Sequence, residues 1–395
     1  AAEAYYRLGS HYAKKGMWLE AEAALKSAVG LDPTMVKARI SLGTVLMSKP
    51  KKDWEKALEQ FRHVEKLGVE SKEFLRHLAN AYFMAEQYAE AKRVYEKLMK
   101  REKEDPKKPK NPQLFLRLGV VLFHMRKFDL AEKQLLVAKR DTTLEPEVYY
   151  HLGQIEIQRK RLDRALKMFK QAIAGAPNNL SIHYYFAKTL ERAGGSTRLK
   201  EAVSTYSFML AQYRQKPSLI TDKKVLADVY FSRGRILLAS GRNQEALNDL
   251  ELAMRVDPSK THGVSLFEKL IEANFKLERY DEVMRIAKNL LANDPSNGTA
   301  HFYLGSTYRQ KNDIENAVKQ LEASLKSTRI FPEAHRMLGY HYRDKGLKDK
   351  ALSHLETYLK LVKRNPNYFD QEEVQRAVER LKGGFQLKLK KSKTR

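Results

Sequence analysis

Small and apolar residues recur in this chain with a period of about 34 residues, and that period limits the fold more than any other feature. The stretch from Glu147 to Pro177 reads EVYYHLGQIEIQRKRLDRALKMFKQAIAGAP. Leu152 and Gly153 stand together on a first helical segment. Ala165, Phe169 and Ala172 recur on a second, and Pro177 closes the unit. Gly153 and Ala165 let two antiparallel helices approach where larger side chains would hold them apart. Phe169 fills the groove beside them. Ala172 lets the second helix pack on the first helix of the next unit. Pro177 cannot continue a helix interior, so it ends the second helix.

The same grammar runs along the chain. A first unit carries Leu8, Gly9, Tyr12, Ala21, Leu25, Ala28 and Pro33. A second carries Leu42, Gly43, Ala57 and Phe61, with Trp54 at the start of its second helix. Its inner turn is lengthened by about two residues around Lys49 and Pro50, where insertion costs little. A third has Leu78, Ala79, Tyr82, Ala91 and Tyr95. The charged, proline-bearing run from Lys100 to Pro112 reads as a loop, or as a helix end followed by a loop. Leu118, Gly119, Ala131, Leu135 and Ala138 mark the fourth unit, and the stretch quoted above is the fifth. The sixth has Phe186, Ala187, Leu190, Ala202 and Tyr206, with Gly194, Gly195 and Ser196 lengthening its turn. The seventh has Gly234, Leu237, Ala246, Leu250, Ala253 and Pro258. The eighth departs from the pattern: Ile271 falls at the close-packing position, so a helix offset is expected there. Gly305 with Ala317 and Gly339 with Ala351 mark the ninth and tenth.

On these residues the chain resembles the tetratricopeptide repeat family over nearly its whole length. The resemblance implies an all-α fold, a right-handed superhelical solenoid of about ten antiparallel helix pairs closed by a capping helix. The expected divisions are 1–99 for units one to three, 100–112 for the loop and 113–211 for units four to six. A connection at 212–225, units seven to ten at 226–366, a capping helix at 367–384 and a basic tail at 385–395 follow. Val374, Ala377, Val378 and Leu381 share one face of that last helix. The tail alternates Phe385, Leu387 and Leu389 among basic residues, which suits a frayed end, a strand added to a partner, or contact with an anionic membrane.

Lys+Arg 74 against Asp+Glu 48 gives a net charge of +26. That excess favours acidic protein surfaces, anionic lipid or nucleic acid, and equally suits a lysine-rich soluble surface. With no cysteine, disulfides, zinc–thiolate sites and thiol catalysis are excluded. The absence of cysteine fits both the cytoplasm and a bacterial envelope. No apolar run reaches the roughly 18 residues that span a bilayer. The opening AAEAYYRLGS already lies in a helical pattern, and a processed leader or anchor ahead of Ala1 is compatible with it.

No phosphate-binding glycine loop and no HExxH occurs. His183, His301 and His335 fall at equivalent first-helix positions, which are packing positions. His335, His341 and His354 share the tenth unit, but no metal site, cofactor or catalytic group is expected. The chain is therefore expected not to be an enzyme.

In the family the resemblance points to, the first helix of each unit lines the concave side. Its inner positions here are Tyr6, Arg76, Asn80, Phe83, Phe123, Tyr150, Gln154, Tyr184 and Lys188, then Phe231, Arg235, Phe275, Phe302, Arg309, Arg336, Tyr340 and Arg343. Aromatics offer contact area at low entropic cost, and arginine gives charge-assisted bonds to carboxylates or phosphates. Some family members hold a chaperone C-terminus in a carboxylate clamp. Arg76 and Asn80 fit its first step, but Arg117, Glu147 and His151 stand where the rest is required, so that function is not expected. The resemblance implies an interaction scaffold gripping an acidic or amphipathic segment of a partner protein, in a setting such as a bacterial envelope, pilus or motility machine. Nucleic-acid binding along the aromatic and cationic stripe is the alternative, and self-association through the open ends a further one.

Overall fold

A computed structural model of the chain describes residues 1–50, 52–103, 111–257, 263–363, 365 and 367–383, except the side chains of 102 and 103. Pro258, Pro366, most of the expected 100–112 loop and the whole 385–395 tail lie outside the described residues. Among the described residues there are α-helices and two 3-10 turns and no strand. None of these helices is long and apolar enough to cross a membrane.

The chain forms two compact units, Ala1–Ala202 and Val203–Arg395. In the first, α1 (Ala2–Lys14) pairs with α2 (Trp18–Leu31) and α3 (Val36–Ser48) with α4 (Trp54–Lys66). α5 (Lys72–Met84) pairs with α6 (Tyr88–Lys103), α7 (Pro112–His124) with α8 (Phe128–Ala138), and α9 (Glu145–Gln158) with α10 (Leu162–Gly175). α11 (Leu180–Ala193) then packs on α10. The division between the units falls inside α12 (Ser196–Gln215). In the second unit, α13 (Lys223–Ala239) pairs with α14 (Asn243–Val256) and α15 (Gly263–Lys276) with α16 (Tyr280–Asn293). α17 (Gly298–Gln310) pairs with α18 (Ile314–Ser324), α19 (Pro332–Asp344) with α20 (Lys348–Val362), and α21 (Gln371–Leu381) packs on α20. Helix thus occupies both ends of the connection expected between Gln212 and Lys224.

Local chemistry sets the helix ends. Asp53, Ser71, Asn111, Asn179, Asp222, Asn297 and Asp313 each accept a bond from a backbone amide of the first turn that follows. In most pairs the chain turns through one left-handed residue. Gly241 takes that conformation freely, but Glu86, Arg126, Lys160, Glu278 and Asn312 take it at a cost. Lys160, at φ 61°, is exposed. Lys160→Gly is therefore expected to raise the stability of the first unit by about 0.5–1 kcal/mol. A thermal melt that shows no gain would mean that the strain at Lys160 is no larger than the unfolded-chain entropy that glycine adds.

The repeated small residues do what their positions require. Ala165, Phe169 and Ala172 are fully buried. A Cβ added at Gly153 would lie 2.7 Å from Phe169 Cε1, so no larger residue fits without moving the pair. Gly305 meets Leu321 in the same way. In the eighth pair Ile271 is fully buried at that position, and α15 and α16 come close at fewer points than the helices of the glycine-bearing pairs. The capping helix buries Val374 and Val378.

The first-helix histidines hold the turns between pairs. His183 Nε2 lies 2.7 Å from the Pro177 carbonyl oxygen, and His301 Nε2 lies 3.0 Å from that of Pro295. Arg39 Nε makes the same link to the Pro33 carbonyl at 2.6 Å. His335 instead faces His354, with their Nδ1 atoms 3.0 Å apart. Among the described residues, no group of three His, Asp or Glu side chains is placed to hold a metal.

Candidate interaction face of the first helices

In each unit, several consecutive first helices approach one another, as α1 does α3, α7 does α9, and α15 does α17. No comparably close approach joins consecutive second helices among the described residues. First helices thus neighbour one another within each unit in a way that the second helices do not.

In the first unit the candidate face carries Tyr6, Phe83, Phe123, Tyr150, Gln154, Tyr184 and Lys188 half-buried, and Arg76 and Asn80 exposed. The rings bridge neighbouring helices. Phe83 on α5 stands edge-on to His124 on α7, with centroids 5.7 Å apart, and Tyr88 stacks on His124 at 4.7 Å. Tyr150 on α9 meets Tyr185 on α11 at 5.5 Å. Polar groups fix the rings' surroundings. Tyr95 donates to Asn80 Oδ1 at 2.6 Å, and Gln154 Nε2 donates to the Tyr150 hydroxyl at 3.0 Å. Burial, helped by the adjacent Tyr185, pushes the Tyr150 phenol far above its ordinary range, so it stays protonated. Burial also holds His151 down to about 4.

In the second unit Phe231 is 9% exposed and belongs to the core beneath the face. Arg235, Phe275, Phe302, Arg336 and Tyr340 are half-buried, and Arg309 and Arg343 are exposed. Phe275 meets Tyr303 at 5.3 Å, and Phe302 stacks on Phe331 at 4.9 Å. Arg309 and Tyr340 share a cavity of ≈ 270 Å³ with Met337 and His341. Arg336 pairs with Asp370 at 2.9 Å, and the Tyr340 hydroxyl donates to Glu373 at 3.3 Å, so residues beside and on the capping helix reach the same face. Carboxylates interrupt the row on α15. Burial alone would raise Glu272, but Lys269 and Lys276 hold it below the usual carboxylate range.

Of the aromatics expected at inner positions, Phe83, Phe123, Tyr150, Tyr184, Phe275 and Phe302 belong to short ring clusters within their own units. His124, Tyr185 and Tyr303 join those clusters without having been singled out. Each follows directly on a stripe aromatic (Phe123, Tyr184, Phe302), and that adjacency was the available signal.

Stacked antiparallel helix pairs with glycine at the close approach and neighbouring first helices define an α-helical repeat array. A tetratricopeptide repeat profile matches residues 76–146, 116–179, 269–328 and 307–369, and a second of the same description matches 2–35 and 227–260. The chain belongs to the tetratricopeptide repeat family. It is 27% identical to Superkiller protein 3 of Schizosaccharomyces pombe over 259 residues, which is 65% of this chain and 18% of that protein. It is 26% identical to RNA polymerase-associated protein CTR9 of Caenorhabditis elegans over 268 residues, 67% of this chain and 21% of that one. The matched part is thus a small share of either curated relative. A tetratricopeptide repeat protein from Parabacteroides merdae superposes with a TM-score of 0.47 at 17% identity, covering 69% of this chain and 98% of its own.

Proposed function

We propose that the chain is a non-catalytic interaction scaffold whose first-helix face grips an acidic or amphipathic segment of a partner protein. Proteins of this repeat family are in general interaction scaffolds. The observation that carries the finer reading is the pairing of a ring with arginines on the first helices of the second unit: Tyr340 shares a cavity with Arg309 and stands beside Arg336 and Arg343. Rings take the apolar side of an amphipathic segment, and arginine forks take its carboxylates. The net charge of +26 adds long-range attraction for such a segment. One relative is named as associated with RNA polymerase, which supports a place in a larger protein assembly.

Charge reversal at Arg235, Arg309 and Arg336 tests the reading. The triple variant, with its helical circular dichroism intact, is expected to hold its partner at least about tenfold more weakly. Unchanged affinity would reject the face as the binding surface.

A further inference from the structure

At the end of the stripe, α19 and the capping helix α21 line a cavity of ≈ 450 Å³. Its walls include Tyr340 and Arg343 from α19, and Glu373, Arg376 and Arg380 from α21. We infer that this cavity is a dedicated subsite for the side-chain carboxylates of an acidic peptide segment, which deepens the scaffold reading and rests on it.

Three arginines and one carboxylate line the cavity. That carboxylate, Glu373, is already engaged by the Tyr340 hydroxyl. The Arg343 guanidinium lies 4.7 Å from the centroid of the Tyr340 ring, which gives it a flat apolar support. All three arginines have partners; those of Arg343 and Arg376 are Asp344 at 2.7 Å and Glu372 at 3.4 Å. All four of those side chains are between 42% and 89% exposed, so solvent screens both pairs and exchanging them for an incoming carboxylate costs little. Arginine is the side chain suited to such an exchange, because its planar fork takes a carboxylate through two bonds. Leu381 and Ala377 add apolar wall, so the site suits a carboxylate flanked by an apolar residue. The sequence beyond Gly383 continues with further cations at Lys388, Lys390, Lys391 and Lys393, which raises the positive charge of this end of the chain.

The test uses the full chain and a fluorescein-labelled peptide of repeating Glu-Glu-Leu, followed by fluorescence anisotropy at physiological salt. The Arg343→Glu/Arg376→Glu/Arg380→Glu variant is expected to bind the peptide at least about tenfold more weakly. Arg255→Glu/Arg285→Glu reverses two charges instead of three, on the second helices α14 and α16, and is expected to change affinity less than about twofold. Arg376→Gln removes one fork without repulsion and guards against misfolding of the cap. It is expected to weaken binding about threefold with helical content unchanged. Equal losses in the cavity and control variants would reduce the attraction to net charge and overturn the subsite. No binding by the native chain would overturn it as well. Loss on reversing Arg235 and Arg309, with full binding by the cavity variants, would keep the first-helix face and discard the subsite.

Discussion

Asp249→Ala is expected to cost the second unit about 3–5 kcal/mol, the largest effect of any single polar substitution described here. Arg233 Nε and Nη2 each donate to Asp249 at 2.7 Å, one to each carboxylate oxygen, and Arg233 Nη1 donates to Ser207 Oγ at 3.0 Å. The two side chains are 16% and 4% exposed. The pair sits at the helix approach made possible by Gly234, where an added Cβ would stand 3.1 Å from Asp249 Cβ. Little water reaches a guanidinium that is only 16% exposed, so alanine strands a mostly buried charge. Removing both charges together, as in Arg233→Met with Asp249→Leu, is expected to recover most of the loss. Hydrogen exchange along α13 and α14, read beside thermal melts, checks both outcomes. A single variant within 1 kcal/mol of the native chain, on the order of a surface change, would mean that water reaches the pair.

Acid is expected to loosen the array before its carboxylates titrate. Burial holds His77, His124, His151, His335 and His354 below the ordinary histidine value, with His151 at about 4. The folded chain then binds fewer protons than the unfolded chain between that value and about 6.5. Stability contributed by these rings is full above about pH 6.5 and falls as pH drops through the window. His151 alone accounts for about 3 kcal/mol across it. His335 and His354 add mutual repulsion once both are charged, with Lys350 alongside and Glu322 as the opposing carboxylate. Melting the native chain and His151→Phe from pH 7 to pH 4, in steps of about half a unit, measures the effect. The variant is expected to show the shallower decline. Parallel curves would place His151 in contact with water.

The repeat was legible because its hallmark residues act locally. Gly153, Ala165 and Phe169 meet within one pair, so their spacing alone fixes the packing that the structure contains. The irregular eighth pair was legible for the same reason, through the oversized Ile271. The ring clusters were only half legible. Register placed Phe83, Tyr150 and Phe275 on one face, but whether a ring bridges to the next helix depends on the stagger between pairs. Nothing in the sequence states that stagger, which is why His124 and Tyr303 came only with the structure. Phe231 shows the limit of register from the other side: it holds an inner position, yet it is 9% exposed. The buried Arg233–Asp249 pair was invisible for a further reason. Its partners lie on different helices, and in sequence each reads as one more surface charge.

The most direct test of the scaffold account is photocrosslinking from single positions of the full chain, with and without nuclease. Benzoylphenylalanine at Tyr150 and at Phe302 reports on the first-helix face of each unit. The same probe at Leu136 and at Met254, exposed on α8 and α14, reports on the second helices. The account predicts nuclease-resistant adducts to one protein partner from Tyr150 and Phe302, and none from Leu136 or Met254. Equal adducts from both helix rows, or adducts that vanish with nuclease, would contradict it.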